Sequence, residues 1–406
     1  MKILQINSVL NTGSTGHIAE DIGRLIIQHN WTSYIAYGRK AFPSTSNVIR
    51  IGTKIGILYH VGMTRIFDNH GLLSVIATLN FINKINKIKP DIIHLHNIHG
   101  YYLNYKILFK YLAKSGIPVV WTMHDCWALT GHCSYYTFVK CEQWQTAEGC
   151  KRCSQKRSYP KSIIFSNATR NFKNKKKYFN LLQERQLTIV APSQWLCNEV
   201  TKSYLGHYRH IVINNGIDLS IFKPILSKNV FFAKKVVLGV ASVWDERKGL
   251  DDFIKLSFLL EDDEEILLVG LSDKQIKTLP KDRNIRGLSR TENQQQLAEL
   301  YSNSVVFVNP TYEDTFPTTN IESLACGTPV ITYNTGGSPE IIDGKTGFVV
   351  DRGNINKIYE CIKTIMKEGR EKYINNCVER TRCFFNKENN FEKYISLYQE
   401  INNAKV

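Results

Sequence analysis

Asp314 and Glu322 are two carboxylates eight positions apart on one short stretch, Asp314-Thr315-Phe316-Pro317-Thr318-Thr319-Asn320-Ile321-Glu322. Ionised carboxylates accept hydrogen bonds from hydroxyl groups, so a pair held on one loop suits a polyhydroxylated ligand such as a sugar. Upstream, Arg247 and Lys248 stand just before Gly249-Leu250-Asp251. Such a pair can hold a diphosphate, the arginine by its planar fork and the lysine as a point charge. The elements around the acids fit that chemistry. Val305–Val308 is an apolar run short enough for a buried parallel strand. Polar residues then turn the chain, and helical spacing returns from Ile321 to Ala325, which puts Glu322 on the helix's first turn. Gly327 fits a helix stop with Pro329 beyond it, and Val330-Ile331 begins the next strand. A strand, a loop and a helix N-terminus aim N–H groups and the positive end of the helix dipole at an anion above the loop. The plain alternative is a capped helix with solvated carboxylates.

The first half supplies other candidates. Met1–Ile6 reads as a strand, Asn11-Thr12-Gly13-Ser14-Thr15-Gly16-His17 as a loop and Ile18–Ile27 as a helix. Gly13 and Gly16 permit close approach of a ligand. The loop has neither the Gly-Lys-Ser/Thr ending of a phosphate loop nor dinucleotide-fingerprint spacing. Trp31–Tyr37, Asp91–His96, Pro118–Met123 and Leu187–Ser193 read as further strands, the last of them closing the first sheet. Ligands of open α/β sheets bind beyond the carboxyl ends of the strands. His96, Asn97, His99, His124 and Asp125 fall there. His94 reads as structural and His124 as a site residue. Asp68-Asn69-His70-Gly71 and His96-Asn97-Ile98-His99-Gly100-Tyr101-Tyr102 have the aromatic faces and polar groups that sugars need.

Cys133, Cys141, Cys150 and Cys153 are clustered, with tight C-x-x-C spacing only in the last pair. A structural zinc tying down residues 126–160, unrelated thiols and a redox pair are the readings. Four thiolates would leave no open position for catalysis. Cys126, Cys197, Cys326, Cys361, Cys377 and Cys383 are scattered and read as core or neutral positions.

At 406 residues the chain is too long for one ordinary core, so two domains are expected. The second half adds strands at Lys235–Val240 and Ile266–Val269, a strand exit at Gly336-Gly337-Ser338, and helical pattern over residues 355–403. No window approaches the ~18 apolar residues of a membrane span. Residues 1–8 read as a strand rather than a signal peptide, which places the protein in the cytoplasm with reduced thiols. Charge is uneven. Residues 1–210 hold 27 Lys and Arg against 9 Asp and Glu, whereas the remainder is nearly neutral within a total of +16. The first half therefore favours an anionic partner. Lys151–Lys177 contains ten basic residues and no acid, with Phe165, Phe172, Tyr178 and Phe179 in or beside it. If helical, it is an amphipathic segment suited to anionic lipid; a solvated helix face and a nucleic-acid contact are the alternatives.

The stretch from Asn309 to Val330 resembles the donor-binding signature of family 4 glycosyltransferases, enzymes of the GT-B fold. That signature has two acids eight apart followed by an Ala-Cys-Gly-Thr-Pro-Val element, here Ala325–Val330. The first acid is Asp314 where the family usually has Glu, and Glu313 is adjacent. Asn215-Gly216-Ile217-Asp218 resembles the family's crossing between domains, and Lys248-Gly249 its diphosphate contact. The family's usual earlier arginine is missing near Ser242 and Val243, and Arg247 would take its place. The loops around His70 and His99 are similar to those of colanic-acid and capsule transferases.

The resemblance implies a GT-B fold, two Rossmann-like α/β domains facing an interdomain cleft. The expected boundaries are 1–215 for the acceptor domain, 216–230 for a linker, 231–385 for the nucleotide-sugar domain, and 386–406 for a helix packing back on the first domain. It implies a retaining transfer of a hexosyl group from a nucleoside diphosphate sugar to a saccharide or polyprenyl-diphosphate-linked acceptor. Implied catalytic residues are His124, Asp314 and Glu322. Implied donor contacts are Gly13, Gly16, Arg247, Lys248, Glu313, Phe316, Pro317, Thr318, Thr319 and Asn320. Acceptor contacts are His70, Asn97, His99, Tyr101 and Asp125. No cofactor is required for catalysis, and no Asp-x-Asp metal motif is present. A peripheral position at the inner face of the cell membrane, and no nucleic acid, complete the reading. A nucleotide-sugar epimerase of the same fold, or a basic zinc-stabilised nucleic-acid-binding protein, are the rivals.

Overall fold

The computed structural model describes residues 1–225 and 232–404. The last part of the expected linker, residues 226–230, lies outside them, as does residue 231. The chain forms two compact units: Met1–Ile213 with the C-terminal segment from Phe391, and Asn214–Asn390.

The first unit is a seven-stranded parallel sheet. Its strands are β1 (Lys2–Asn7), β2 (Thr32–Tyr37), β3 (Asn47–Arg50), β4 (Ile92–Leu95), β5 (Val119–Thr122), β6 (Leu187–Ala191) and β7 (Arg209–Val212), in the order β3-β2-β1-β4-β5-β6-β7. β4, β5 and β6 are buried at every residue, as continuous apolar runs covered on both faces must be. Register runs from Lys2 opposite Thr32 on one side of β1 and from Ile3 opposite Ile92 on the other. The chain departs from both sides of β1, so the topological switch point lies between β1 and β4. Leu187–Ala191 is not the last strand of this sheet, because Arg209–Val212 adds an edge strand of half-exposed residues.

Helix Lys387–Asn403 lays Phe391, Tyr394, Ile395, Leu397 and Tyr398 among Ile3, Ile92, Val120 and Val190 of this sheet. Each large apolar side chain buried there contributes roughly 1.5–3 kcal/mol.

The second unit has six parallel strands: β8 (Lys235–Val240), β9 (Glu264–Val269), β10 (Ile285–Leu288), β11 (Val306–Asn309), β12 (Val330–Tyr333) and β13 (Gly347–Val350). Their order is β10-β9-β8-β11-β12-β13, which puts the switch point between β8 and β11. The Asn-Gly-Ile-Asp segment belongs to this unit. Ile217 bridges Asn386 in parallel, and Lys387 donates to Asp218 at 2.7 Å.

Two helices begin earlier than their spacing suggested. The stretch read as a glycine loop is the first turn of helix Gly13–Gln28. Helix Thr318–Ala325 opens three residues ahead of Ile321, so Glu322 sits in its second turn, not its first.

Candidate active site

At the second sheet's switch point, two strand exits face each other. The exit of β8 makes a short 3-10 turn, Glu246–Lys248, capped by Asp245, whose carboxylate accepts the N–H groups of Arg247 and Lys248. The exit of β11 runs from Pro310 to the helix at Thr318. The two are stitched by backbone: Tyr312 N–H donates to Arg247 O at 2.7 Å. Gly249 makes the approach feasible, since it lies at φ +73° and a Cβ there would sit 2.4 Å from Pro310 O. Asp252 on the next helix accepts from Tyr312 and Tyr333 hydroxyls at 2.7 and 2.8 Å, fixing the loop from behind.

On this scaffold Lys248 Nζ meets Asp314 Oδ2 at 2.7 Å, both groups partly exposed. Arg247 is held against Asp245 at 2.9 Å and lies 3.7 Å from Glu313. The adjacent acids are thereby distinguished. Glu313 is fully buried and faces Arg247, whereas Asp314 opens to solvent beside Lys248. Glu313 is therefore not positioned as a surface contact for a sugar.

The side chains of three other expected donor contacts point inward. Phe316 is core, packed on Phe385 with ring centroids 5.8 Å apart. Pro317 is buried. Asn320 is fully buried, and its Oδ1 accepts from Asn309 at 2.7 Å. Their side chains belong to the unit's interior. The Asn320 N–H bonds back to Pro317 O at 3.2 Å. Thr318 and Thr319 are the half-buried residues of the helix start, where N–H groups have no partner within the helix.

Glu322 is partly buried, and burial pushes its carboxyl up to about 7, against hydrogen bonds from Tyr301 and Thr318 that favour the ionised form. Tyr301 donates to it at 3.2 Å. Tyr301 carries no sequence signal for this role, since the contact depends on a helix that packs beneath from another part of the chain. A groove of about 440 Å³ lies at the opposite, amino ends of β8 and β9. It is lined by Lys235, Asp263, Asn303 and Val305 and contains none of these groups.

At the first sheet's switch point, Asn7 at the end of β1 is the organising residue. Its side chain accepts from Ser8 and Asn97 N–H groups and donates to Thr15 O. Gly16 packs close to this turn, where a Cβ would lie 3.2 Å from Asn11 N, whereas Gly13, at φ +64°, has open space.

Beyond β4 and β5 lies a chain of imidazoles. Gln5 donates its amide to Ala19 O, so its Oε1 must accept from His96 Nε2, 3.0 Å away. His96 Nδ1 is then an acceptor and receives a hydrogen bond from His124 Nε2–H at 3.1 Å. The hydrogen-bond network thus assigns His124 as the Nε2–H tautomer, with Nδ1 as its acceptor nitrogen. Burial pushes His124 down to about 4 despite the nearby Asp125, and drives His96 well below the usual histidine value. Both are neutral at physiological pH. His94 is structural, bonded to Tyr398 and Thr122.

His70, His99, Tyr101 and Asp125 are brought together, with Asn97 at their edge. His99 Nε2 lies 3.0 Å from Asp125, and Nδ1 bonds the Tyr159 hydroxyl at 2.9 Å. Although its burial acts the other way, His99 holds the Asp125 carboxyl below its ordinary value. His70 packs on Tyr101, Trp127 and Tyr159. These are mostly buried rings packed edge-to-face or tilted against one another rather than open loops. Sequence reasoning missed Tyr159 and Trp127, which lie far from the histidines in the chain.

Two open parallel sheets, with a cation and carboxylates gathered at the switch point of one and a polar histidine array at that of the other, define a GT-B glycosyltransferase. Residues 34–221 match the family model described as "Glycosyltransferase Family 4", and residues 222–382 the model "Glycosyl transferases group 1". The chain belongs to the family 4 glycosyltransferases. It is 23% identical over 422 residues to the "Putative colanic acid biosynthesis glycosyl transferase WcaC" of Escherichia coli (strain K12), covering 99% of this chain and 100% of that one. Among solved structures, sucrose-phosphate synthase from Thermosynechococcus elongatus superposes with a TM-score of 0.75 at 18% identity, over 99% of both chains. Anabaena Alr3699/HepE in complex with UDP-glucose gives 0.65 at 14% identity, over 98% of this chain and 100% of that one.

Proposed function

We propose that this glycosyltransferase moves a hexosyl group from a nucleoside diphosphate sugar to a hydroxyl of a lipid-linked saccharide in bacterial surface polysaccharide assembly, with retention at the anomeric carbon. The observation that carries it is the Lys248–Asp314 pair at the β8–β11 switch point. A cation for a diphosphate and a carboxylate for sugar hydroxyls stand side by side where one donor would present both. The relative named for colanic acid biosynthesis, matched over its whole length, supports the polysaccharide setting. The neighbour solved with UDP-glucose supports the donor class.

In the proposed reaction the bond from C1 to the diphosphate oxygen breaks while the acceptor oxygen bonds C1 on the same face. The acceptor's proton passes to the departing diphosphate oxygen, so no dedicated base is named. Lys248 and the N–H groups of Thr318 and Thr319 would stabilise the charge gathering on the leaving group. Asp314 would accept from sugar hydroxyls and Glu322 from ribose hydroxyls. His124, neutral, would accept a sugar hydroxyl at Nδ1.

A thermal-shift screen against UDP, GDP, ADP and their sugars tests this reading. One nucleotide should raise Tm by a few degrees at about a hundredfold excess over Kd. No shift with any of them, or an unchanged shift in Lys248→Ala, would remove its basis.

We also read the protein as peripheral at an anionic, cytoplasmic membrane face. Among the described residues, no helix is long and apolar enough to cross a membrane. The surface differs from the one the sequence suggested. In Lys151–Lys177 only Ala168–Phe179 is helical, and its apolar residues Phe172 and Phe179 are buried in the core. The unpartnered apolar face lies instead on helices Lys54–Phe67 and Val75–Ile88. Ile55, Leu58 and Ile76 are exposed by 81, 72 and 75%. Phe165 joins it, stacked on Phe67. Exposed Lys54, Arg65 and Lys161 flank this face, the arrangement that suits anionic lipid. Leu58→Glu with Ile76→Glu should abolish co-sedimentation with phosphatidylglycerol vesicles while preserving Tm; undiminished sedimentation would refute the surface.

A further inference from the structure

Between β5 and helix Ala168–Phe179 the chain runs from residue 123 to 167 with one 3-10 turn, Gln143–Gln145, as its regular structure. Irregular segments longer than about 15 residues are uncommon inside compact domains. This one nevertheless buries Trp127, Leu129, Tyr136 and Trp144. With few helix or sheet bonds to fix it, the segment needs another tether.

Its thiols are gathered. Cys133 and Cys153 share a hydrogen bond, and Cys150 is close enough to Cys133, Cys141 and Cys153 to interact electrostatically. Backbone N–H groups are aimed at the sulfurs: Gly131 donates to Cys150 Sγ at 3.2 Å, and Gln155 and Cys133 donate to Cys153. Such donors favour thiolate over thiol. Gly131 permits the approach, because a Cβ there would sit 2.3 Å from Ala168 O and 2.9 Å from Cys150 Cβ.

Two further groups face the cluster. Lys175 is 1% exposed, donates to Trp127 O at 2.5 Å and Thr130 O at 3.0 Å, and lies 3.6 Å over the Trp127 ring. Among the described residues no carboxylate forms an ion pair with it. Asp125 and Asp68 act on it only from beyond ion-pair distance, and an ammonium buried without a close partner is costly. His132, also buried, bonds Asp68 through Nδ1 at 2.6 Å, while its Nε2 has no hydrogen-bond partner and the ring is near enough to Cys153 to act on it electrostatically.

We propose that a structural zinc ion is bound by the thiolates of Cys133, Cys141, Cys150 and Cys153, with Lys175 as a neighbouring positive charge. A zinc tetrathiolate carries two net negative charges, a counter-charge beside Lys175, on which Cys150 and Cys133 act more strongly than Asp125 and Asp68. Binding expels the four thiol protons to solvent, and no electrons move. Among the described residues no three of these sulfurs lie within 4.8 Å of one another, so the ion must draw them together. The group that does lie within that distance is Glu261, Asp263 and Glu264, and its charge is already met by Lys363 and Lys235.

The full chain, purified from zinc-supplemented cells without a metal-affinity step, should carry about one zinc that survives dialysis. A thiol-blocking reagent should release it. Cobalt in its place should give thiolate-to-cobalt charge transfer and strong tetrahedral bands. Stripping by chelator should lower Tm by roughly 5 °C or more and leave the nucleotide-induced shift intact. Cys141→Ser, at one of the two half-buried thiols of the four, should lose zinc, and His132→Gln should keep it. A metal-free chain of the same Tm, a Cys133–Cys153 disulfide, or zinc kept in Cys141→Ser but lost in His132→Gln would overturn the proposal. Should Cys141→Ser not fold, the cobalt spectrum of the unaltered chain decides.

Discussion

The two sheets end in opposite kinds of chemistry. The carboxyl edge of β8 and β11 is a set of charges, with Lys248 against Asp314 and Arg247 between Asp245 and Glu313. The edge of β1, β4 and β5 instead carries two neutral rings, His96 and His124, whose protons are fixed by Gln5. Both are switch points of parallel sheets, so topology alone does not set the chemistry. The charged edge can respond to a ligand's charge, because each cation already has an anion that a diphosphate would replace. The neutral edge responds little to charge and instead presents hydrogen-bonding atoms of fixed polarity.

The sharpest test of that contrast is at Lys248. Lys248→Ala should cut transfer by about 100-fold or more, since it removes a cation from the leaving group in a partly desolvated site. Asp314→Asn should separate two effects. Nucleoside diphosphate binding should hold or tighten a few-fold, because Lys248 loses its competing carboxylate. Transfer should still fall, because a neutral amide accepts sugar hydroxyls poorly. Titration calorimetry with the diphosphate, beside an assay with its sugar, reads both. If Asp314→Asn weakened diphosphate binding as much as Lys248→Ala does, the pair would be a structural clasp and the edge would not be a responsive one.

Glu322 gives the next largest effect and brings pH into the comparison. Its carboxyl titrates at about 7 in the folded chain against an ordinary 4.5, with burial as the cause. The folded state thus holds this proton more tightly than the unfolded one. The stability it contributes is full below pH 4.5 and is lost as pH rises towards 7, by up to about 2 kcal/mol after screening. Donor binding, which needs the ionised acceptor, runs the other way and should weaken as pH falls below 7. Glu322→Gln should flatten both profiles, raise the Tm of the ligand-free protein at pH 8, and lose about tenfold or more in donor affinity. Denaturation and binding measured over pH 5–8 check it, and unchanged profiles would remove Glu322 from the site.

Much of this was legible in the sequence where burial is continuous. Val119–Thr122 and Val330–Tyr333 are buried throughout and mostly apolar, and read directly as strands. Lys248-Gly249 and Asp314 stood out through their resemblance to the family's donor signature, since charge at a strand exit alone fits a capped helix with solvated carboxylates equally well. Asn47–Arg50 is a largely exposed edge strand with no continuous apolar run, and Gly347–Val350 is apolar but short and only partly buried. The starts at Gly13 and Thr318 were hidden because glycine and β-branched residues read as loop. Phe316 beside an acid looked like a ligand contact, yet its burial depends on Phe385, seen only in three dimensions. Charge order along Lys151–Lys177 was plain, but which face of Ala168–Phe179 the core covers was not.

The smallest expected effect lies at the neutral edge and tests its fixed polarity. In the unaltered protein, long-range proton–nitrogen NMR should find His124 protonated on Nε2 and bare on Nδ1, with no titration between pH 5.5 and 8, because burial holds its value at about 4. Gln5 touches no expected ligand and acts only through His96. Gln5→Met keeps length and removes the acceptor, so His96 can turn its proton towards His124 and leave that ring protonated on Nδ1. A sugar hydroxyl would then meet a donor in place of an acceptor. A merely structural role for Gln5 would lower Tm and leave the nitrogen signature unchanged. The positioning role instead moves the signature and lowers kcat/KM a few-fold, in step with the fraction of flipped tautomer. If the unaltered ring carried its proton on Nδ1, the relay from Gln5 would be wrong at its first step. The two edges would then differ in charge alone.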